Sequence, residues 1–244
     1  MKLAFAPGAL GVYNRNLREI YSTGSVFVKE IRNVAIIAHV DHGKTTLVDQ
    51  MLRQAGVFRE NQAVAERVLD SNELERERGI TIFSKQAMLE IGDTQIALLD
   101  TPGHVDFSSD MERTLQVLDY AILVISGADG VQGHTKTLWK LLNRYEIPTF
   151  IFVNKMDQVG ANKEKLLSEL KKELGDNCLE FGPSKSQEWQ EQVAMCDEAL
   201  LENYLAKGKV EENQLKSAIQ RRKIYPCFFG SALKLEGVKE FLEA

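Results

Sequence analysis

The stretch Ala38-His39-Val40-Asp41-His42-Gly43-Lys44-Thr45-Thr46 constrains this chain more than any other. The apolar run Asn33-Val34-Ala35-Ile36-Ile37 before it predicts a buried strand. Leu47-Val48-Asp49-Gln50-Met51-Leu52 after it carries apolar residues at helical spacing. The stretch is therefore a strand-to-helix turn, which is the context a phosphate-binding loop requires. Glycine in such a turn lets backbone N–H groups converge on phosphate oxygens, and the helix start adds the positive end of its dipole. Lys44 can reach β- and γ-phosphates, and the Thr45 hydroxyl can ligate Mg²⁺. A charge aimed at a ligand does not support the core, so removing Lys44 should leave the fold intact. The strict pattern begins with glycine where this chain has Ala38, so the flanking strand and helix carry the assignment.

The 244 residues are 44% hydrophobic and 27% charged, enough for one large domain or one domain with an insert. A net charge of −5 does not hold nucleic acid by bulk electrostatics; such contact needs a local basic patch or further domains. Cys178, Cys196 and Cys227 are odd in number and widely spaced. They form neither a disulfide framework nor a zinc pattern, and read as reduced cytoplasmic thiols without a disulfide-linked partner. No apolar run approaches the length of a membrane span. Residues 1–30 are the least informative. Pro7, Gly8 and Gly11 interrupt the apolar start, and Lys2, Arg15 and Arg18 stand without an acid before residue 19. The plain reading is a poorly ordered extension rather than a targeting segment.

Between the loop helix and the next strand, Glu60 to Gly79 is polar and leads into Ile80-Thr81. A charge run of this kind is ordinarily a solvated helix face. Here its position suggests a switch segment, with Thr81 meeting the γ-phosphate and Mg²⁺. Ser84 to Ile91 and Gln95 to Leu99 read as two strands joined at Gly92-Asp93. The second delivers Asp100, the first residue of Asp100-Thr101-Pro102-Gly103-His104. A carboxylate at that strand tip can hold Mg²⁺ through water, and Gly103 allows a backbone N–H to approach a phosphate. Ala121 to Ser126 and Thr149 to Val153 are further buried strands, the latter ending at Asn154-Lys155-Met156-Asp157. Leu138 to Tyr145 is helical, with Trp139 and Leu142 in the core.

This alternation predicts an α/β fold with a mostly parallel central sheet and helices on both faces. Residues from about 160 to 222 read as a mainly helical insert. Leu166, Leu167, Leu170 and Leu174 share one helix face, and Trp189, Val193, Cys196, Leu200 and Tyr204 share another. Tyr225 to Gly230 is the last strand, and a final helix begins near Gly237.

Four strings now stand in order: Ala38 to Thr45, Asp100 to His104, Asn154 to Asp157, and Ser231-Ala232-Leu233. With Arg78-Gly79-Ile80-Thr81 between the first two, residues 31–244 resemble the P-loop G domain of translational GTPases. Residues 31–80 look closest to BipA-type ribosome-associated GTPases. Residues 81–244 look closer to tetracycline-resistance ribosomal protection proteins and elongation factor G.

The resemblance implies GTP/GDP and Mg²⁺ as ligands and hydrolysis of GTP that is slow alone and stimulated by the ribosome. It implies a cytoplasmic monomer that meets the ribosome through domains absent here, so that the chain is a G-domain fragment. His39, Val40, Asp41, His42, Gly43, Lys44, Thr45 and Thr46 would form the phosphate loop. Thr45, Thr81 and Asp100 would serve Mg²⁺, with Gly103 beside the phosphates. Asp157 would accept from guanine N1 and N2, and Asn154 would bond the base edge and hold the loop. The Lys155 stem would cover the base, the Ser231-Ala232 backbone would approach O6, and Leu233 would belong to the same nucleotide-binding set. His104 would orient the attacking water, joined in catalysis by Lys44 and Thr81, with Val40 and Ile80 flanking it.

Three other readings compete. An ATPase is disfavoured by Asn154-Lys155-Met156-Asp157. A bare nucleotide-binding module without appreciable hydrolysis differs only in single-turnover rate. A zinc site from His39, His42 and His104 is weaker, because His39 and His42 fit the loop pattern. His134 reads as a surface residue.

Overall fold

A computed structural model describes residues 30–56, 85–92, 94–100, 115–182 and 185–243. Thr81, Gly103, His104 and the polar segment 60–81 lie outside the described residues.

The elements run β1 (Glu30–Ala38), α1 (Lys44–Gln54), β2 (Lys85–Ile91), β3 (Thr94–Asp100), β4 (Tyr120–Ser126), α2 (Gly133–Arg144), β5 (Thr149–Asn154), α3 (Lys163–Leu174), β6 (Cys178–Glu180), α4 (Gln187–Ala194), α5 (Glu198–Lys207), α6 (Glu212–Gln220), β7 (Tyr225–Phe229) and α7 (Val238–Glu243). The described strands form one sheet in the order β2-β3-β1-β4-β5-β7-β6. β1, β4, β5, β7 and β6 pair in parallel, while β2 pairs antiparallel with β3 at one edge.

Parallel strands covered on both faces need apolar residues at nearly every position. β4 shows this from Ala121 to Ser126, and β5 buries Ile151 through Asn154. Alternate side chains go to opposite faces. Ile37, Leu123, Ile125, Ile151 and Val153 pack with Leu138, Trp139 and Leu142 of α2 and with Leu166, Leu170 and Leu174 of α3. Ile36, Val124 and Phe152 pack with Leu47, Val48 and Leu52 of α1 and with Val238 and Phe241 of α7. Full burial of one such side chain stabilises by about 1.5–3 kcal/mol.

The segment between β5 and β7 carries α3 to α6 and also β6, which extends the sheet by pairing Glu180 with Cys227. Two sequence expectations need correction. The single face from Trp189 to Tyr204 is divided between α4 and α5, because the chain turns at Met195 and restarts at Asp197 in extended backbone. His134 is half-buried rather than a surface residue, with its ring 5.0 Å from that of His39. The three cysteines are free thiols.

Register positions the site. Ala38 pairs with Val124, Ser126 with Asn154, and Val153 with Phe229. The carboxyl ends of β1, β4, β5 and β7 therefore share one edge, where open α/β sheets bind ligands.

Candidate nucleotide site

The loop from His39 to Gly43 leaves that edge and turns through two left-handed residues, Asp41 (φ 64°) and Gly43 (φ 82°). Gly43 is required twice over. Its φ favours glycine, and a Cβ there would lie 2.4 Å from Asn154 Nδ2. Gly43 also stands at the N-cap of α1, where no side chain caps the helix. First-turn N–H groups have no partner within their own helix, so such a terminus is suited to an anion. Lys44, Thr45 and Thr46 form this first turn, with Lys44 buried and both threonines half-buried. Val40 and His39 are half-buried, and Asp41 is exposed.

His42 is the buried member of the loop. Its Nδ1–H donates to the Val124 carbonyl at 3.2 Å, which fixes the tautomer because a carbonyl only accepts. Burial is the main cause that lowers its pKa below 6.5. The Val124 bond and Asp129 oppose that shift, and His39 and Lys155 add to it. The His39 and His42 rings meet edge to face at 5.3 Å. Among the described residues no group of three or more His, Cys, Asp or Glu side chains is placed to hold a metal ion.

Asn154, at the tip of β5, binds two loops with one amide. Its Nδ2 donates to the His42 carbonyl at 2.9 Å, and its Oδ1 accepts from the Ala232 N–H at 2.9 Å. The strings at 39–43, 154–157 and 231–232 thus meet around a single buried side chain. Met156 N–H donates to the Gly230 carbonyl at 3.0 Å, adding a backbone tie between the last two. Lys155 adopts φ 61°, and its stem passes the position that a Cβ on Gly43 would take.

Asp157 is 18% exposed at its side chain. The Ser231 hydroxyl donates to it and is the main cause holding its carboxyl below the usual range. Lys234 and Lys155 act in the same direction. Lys234 escaped the sequence reading. Its backbone N–H donates to Ser231 Oγ at 3.3 Å, and its ammonium lies 3.8 Å from Asp157 Oδ2. Its place immediately after Ser231-Ala232-Leu233 was the available signal. Leu233 is 77% exposed on this rim, whereas Ser231 and Ala232 are buried.

The sequence reading treated Lys44 as a charge without a protein partner, and the structure corrects that. Lys44 Nζ lies 2.6 Å from Asp100 Oδ1, with side-chain exposures of 8% and 0%. A buried pair of this kind costs several kcal/mol when one partner is removed, so Lys44 also contributes to stability. The Thr45 hydroxyl and the Asp100 carboxylate are hard oxygen donors of the kind Mg²⁺ takes, with water filling its remaining positions.

A family model described as the elongation factor Tu GTP binding domain matches residues 29–244. The chain is 48% identical over 141 residues to the large ribosomal subunit assembly factor BipA of Bacillus subtilis, covering 58% of this chain and 23% of that protein. It is 38% identical over 240 residues to the tetracycline resistance protein TetP of Clostridium perfringens, covering 88% and 37%. Mitochondrial elongation factor G of Drosophila melanogaster is 33% identical over 270 residues, covering 89% and 36%. The chain therefore spans little more than a third of these relatives at most. A crystal structure of a Thermus thermophilus protein superposes with a TM-score of 0.74 at 25% identity, covering 88% of this chain and 39% of that one.

Proposed function

The chain belongs to the family of elongation factor Tu GTP-binding domains, and from that premise we propose that it is the GTP-binding and GTP-hydrolysing switch domain of a ribosome-associated translation factor. The observation that carries this reading is the Asn154 amide, which joins the phosphate loop at His42 to the base-side loop at Ala232.

In this reading the first-turn amides of α1 and Lys44 hold the β- and γ-phosphates. Thr45 and Asp100 would hold Mg²⁺, which when bound would neutralise charge on the phosphates. Asp157 accepts from guanine N1–H and the N2 amino group, kept ionised by Ser231, Lys234 and Lys155. Lys155 and Leu233 flank the ring, and the Ser231-Ala232 backbone faces O6. Asn154 has one amide hydrogen and one lone-pair direction left for the base edge once its two loop bonds are made. Thr81, Gly103 and His104 complete the assignment from the sequence, as γ-phosphate and Mg²⁺ contact, phosphate contact and water-orienting group.

Catalysis in phosphoryl transfer is mostly positioning and charge stabilisation, and the sequence offers no candidate arginine finger at a position that the family resemblance assigns. Turnover is therefore slow alone and accelerated by the ribosome, in a cytoplasmic monomer. No helix among the described residues is long and apolar enough to cross a membrane. The test has two arms. Competition of GTP, ATP and xanthosine triphosphate should give GTP the tightest binding. Single-turnover hydrolysis with and without ribosomes should then show a ribosome-dependent rate. Tight GTP binding with no hydrolysis in either condition would reduce the chain to a binding module. Equal affinity for ATP would remove the guanine assignment.

A further inference from the structure

We propose that a cavity at the amino ends of β1, β4 and β5 binds a small amphipathic carboxylate, its apolar chain inside and its anionic head beside Arg32 and Lys216. The inference stands apart from the nucleotide reading, because the nucleotide site lies at the carboxyl ends of the same strands. The cavity measures about 350 Å³, within the range of about 300–1,000 Å³ that small-molecule sites occupy. Ile122 and Phe150, paired across β4 and β5, line it from the sheet. Met51 of α1, Phe241 of α7 and Ile96 of β3 line it from the core that α1 and α7 cover. Ile219 of α6 belongs instead to the smaller core of α4 to α6. The cavity therefore lies where two separately packed cores meet.

The backbone periodicities bring two cations to it. Alternation along β1 puts Arg32 on the same face as Val34, which also lines the cavity. On α6, Lys216 stands three and four residues before Ile219 and Gln220, so all three share one helix face. The chain carries a net charge of −5, yet both charged side chains among the described lining residues are positive. Asp119 lies 4.0 Å from Arg32, and Glu212 lies 2.7 Å from Lys216; neither acid lines the cavity. The Lys216 pair is a solvated i,i+4 contact with side-chain exposures of 64% and 69%. Such a pair contributes little, so a ligand carboxylate can replace it. Arg32 is partly exposed, whereas Met51, Ile122, Ile219 and Phe241 are buried. The cations thus stand toward solvent with apolar side chains behind them. An inorganic anion would leave that apolar lining unfilled, and a hydrocarbon would leave the charges unused. A single chain of about eight carbons ending in a carboxylate uses both.

The experiment locates the ligand on the unaltered chain. Of the six methionines, Met51 is the one among the described residues that lines the cavity. The full chain, labelled with ¹³C at its methionine methyls, is titrated with octanoate, with octane-1,2-diol as the same chain without charge, and with acetate as the head without a chain. Octanoate should shift the Met51 methyl saturably, at one molecule per chain and a dissociation constant below about 1 mM. The methyls of Met88 and Met195, exposed by 45% and 79%, should stay in place. The diol should bind about tenfold more weakly, since each exposed ion contact is worth up to about fivefold. Acetate should not saturate. Lys216→Met, which keeps an apolar stem at an exposed position, should lower the advantage of octanoate over the diol to about fivefold or less, and Lys216→Arg should retain it.

A Met51 methyl without a saturable shift overturns the proposal. Equal shifts at Met88 and Met195 also overturn it, because the acid is then adsorbed on exposed apolar residues. Equal affinity for octanoate and the diol, or an undiminished advantage in Lys216→Met, overturns the recognition of an anionic head. Met51 shifts that follow protein concentration without any ligand, with a dimer in sedimentation velocity, would assign the cavity to a second copy of the chain and overturn the carboxylate as its occupant.

Discussion

The side-chain amide of Asn154 donates to the His42 carbonyl across 112 residues of sequence, at 2.9 Å and out of contact with solvent. With Ala232 N–H bound to its oxygen, this residue holds two loops that no backbone ladder connects. Asn154→Ala should strand a carbonyl and an N–H, each costing about 1–3 kcal/mol. Expected are a lower melting temperature and GTP affinity reduced by more than about tenfold, read by thermal melting and equilibrium titration. A chain with wild-type affinity would show that the loops hold their shape without the amide.

Gly43→Ala tests the same contact from the other side. The new methyl would lie 2.4 Å from Asn154 Nδ2, on backbone at φ 82°. The left-handed conformation alone costs about 1–3 kcal/mol for an L side chain, and the clash displaces Asn154 as well. Nucleotide affinity should fall more than stability, since the distortion is confined to the loop. Urea denaturation and GTP titration on the same preparation would separate the two effects.

Removing Lys44 should destabilise the fold, because Asp100 is left buried without its cation. Lys44→Met should cost about 3–5 kcal/mol. Adding Asp100→Asn to the same chain should recover most of that loss. Chemical denaturation of the two variants decides the point, and equal stability for both would mean that the pair is solvated in solution.

Asp157→Asn should exchange guanine for xanthine. A carboxylate accepts from the two guanine donors, whereas an amide accepts from N1–H and donates to the xanthine C2 carbonyl. Discrimination against ATP by the unaltered chain should be at least about a hundredfold. The carboxyl pKa is depressed, chiefly by Ser231, so the ionised form is retained until pH falls below the ordinary value of 3.8. Preference for GTP should therefore show no acid limb between neutrality and that value. A competition assay across pH would detect one, and Ser231→Ala should raise its position.

His42 titrates below its ordinary value of 6.5 because it is buried. The unfolded chain then binds the proton more readily than the folded one. Stability from this group is present above pH 6.5 and is lost as pH falls through 6.5 toward the lower folded value. The stability gap between wild type and His42→Gln should narrow as pH drops through that window. Urea denaturation at a series of pH values gives the comparison, and a constant gap would mean that His42 does not titrate on unfolding.

The strands were legible because each is a continuous apolar run that must be covered on both faces, as Ala121 to Ser126 and Thr149 to Val153 show. The strand-to-helix turn at Ala38 to Thr46 was legible because an apolar run precedes it and apolar residues at helical spacing follow it. Three features were decided only by the tertiary structure. β6 is three residues long, too short for periodicity, and joins the sheet only because β7 offers an open edge. The face from Trp189 to Tyr204 keeps helical spacing across a turn, so spacing could not reveal the break between α4 and α5. The partners of Lys44, His42 and Asn154 lie 56, 82 and 112 residues away. Residue type and local spacing determined which polar groups this chain carries at the ends of its strands. Which of them are already bound to one another depends on where the strands end in space, and a hydrogen bond between distant strand tips leaves no periodic trace in the residues around it.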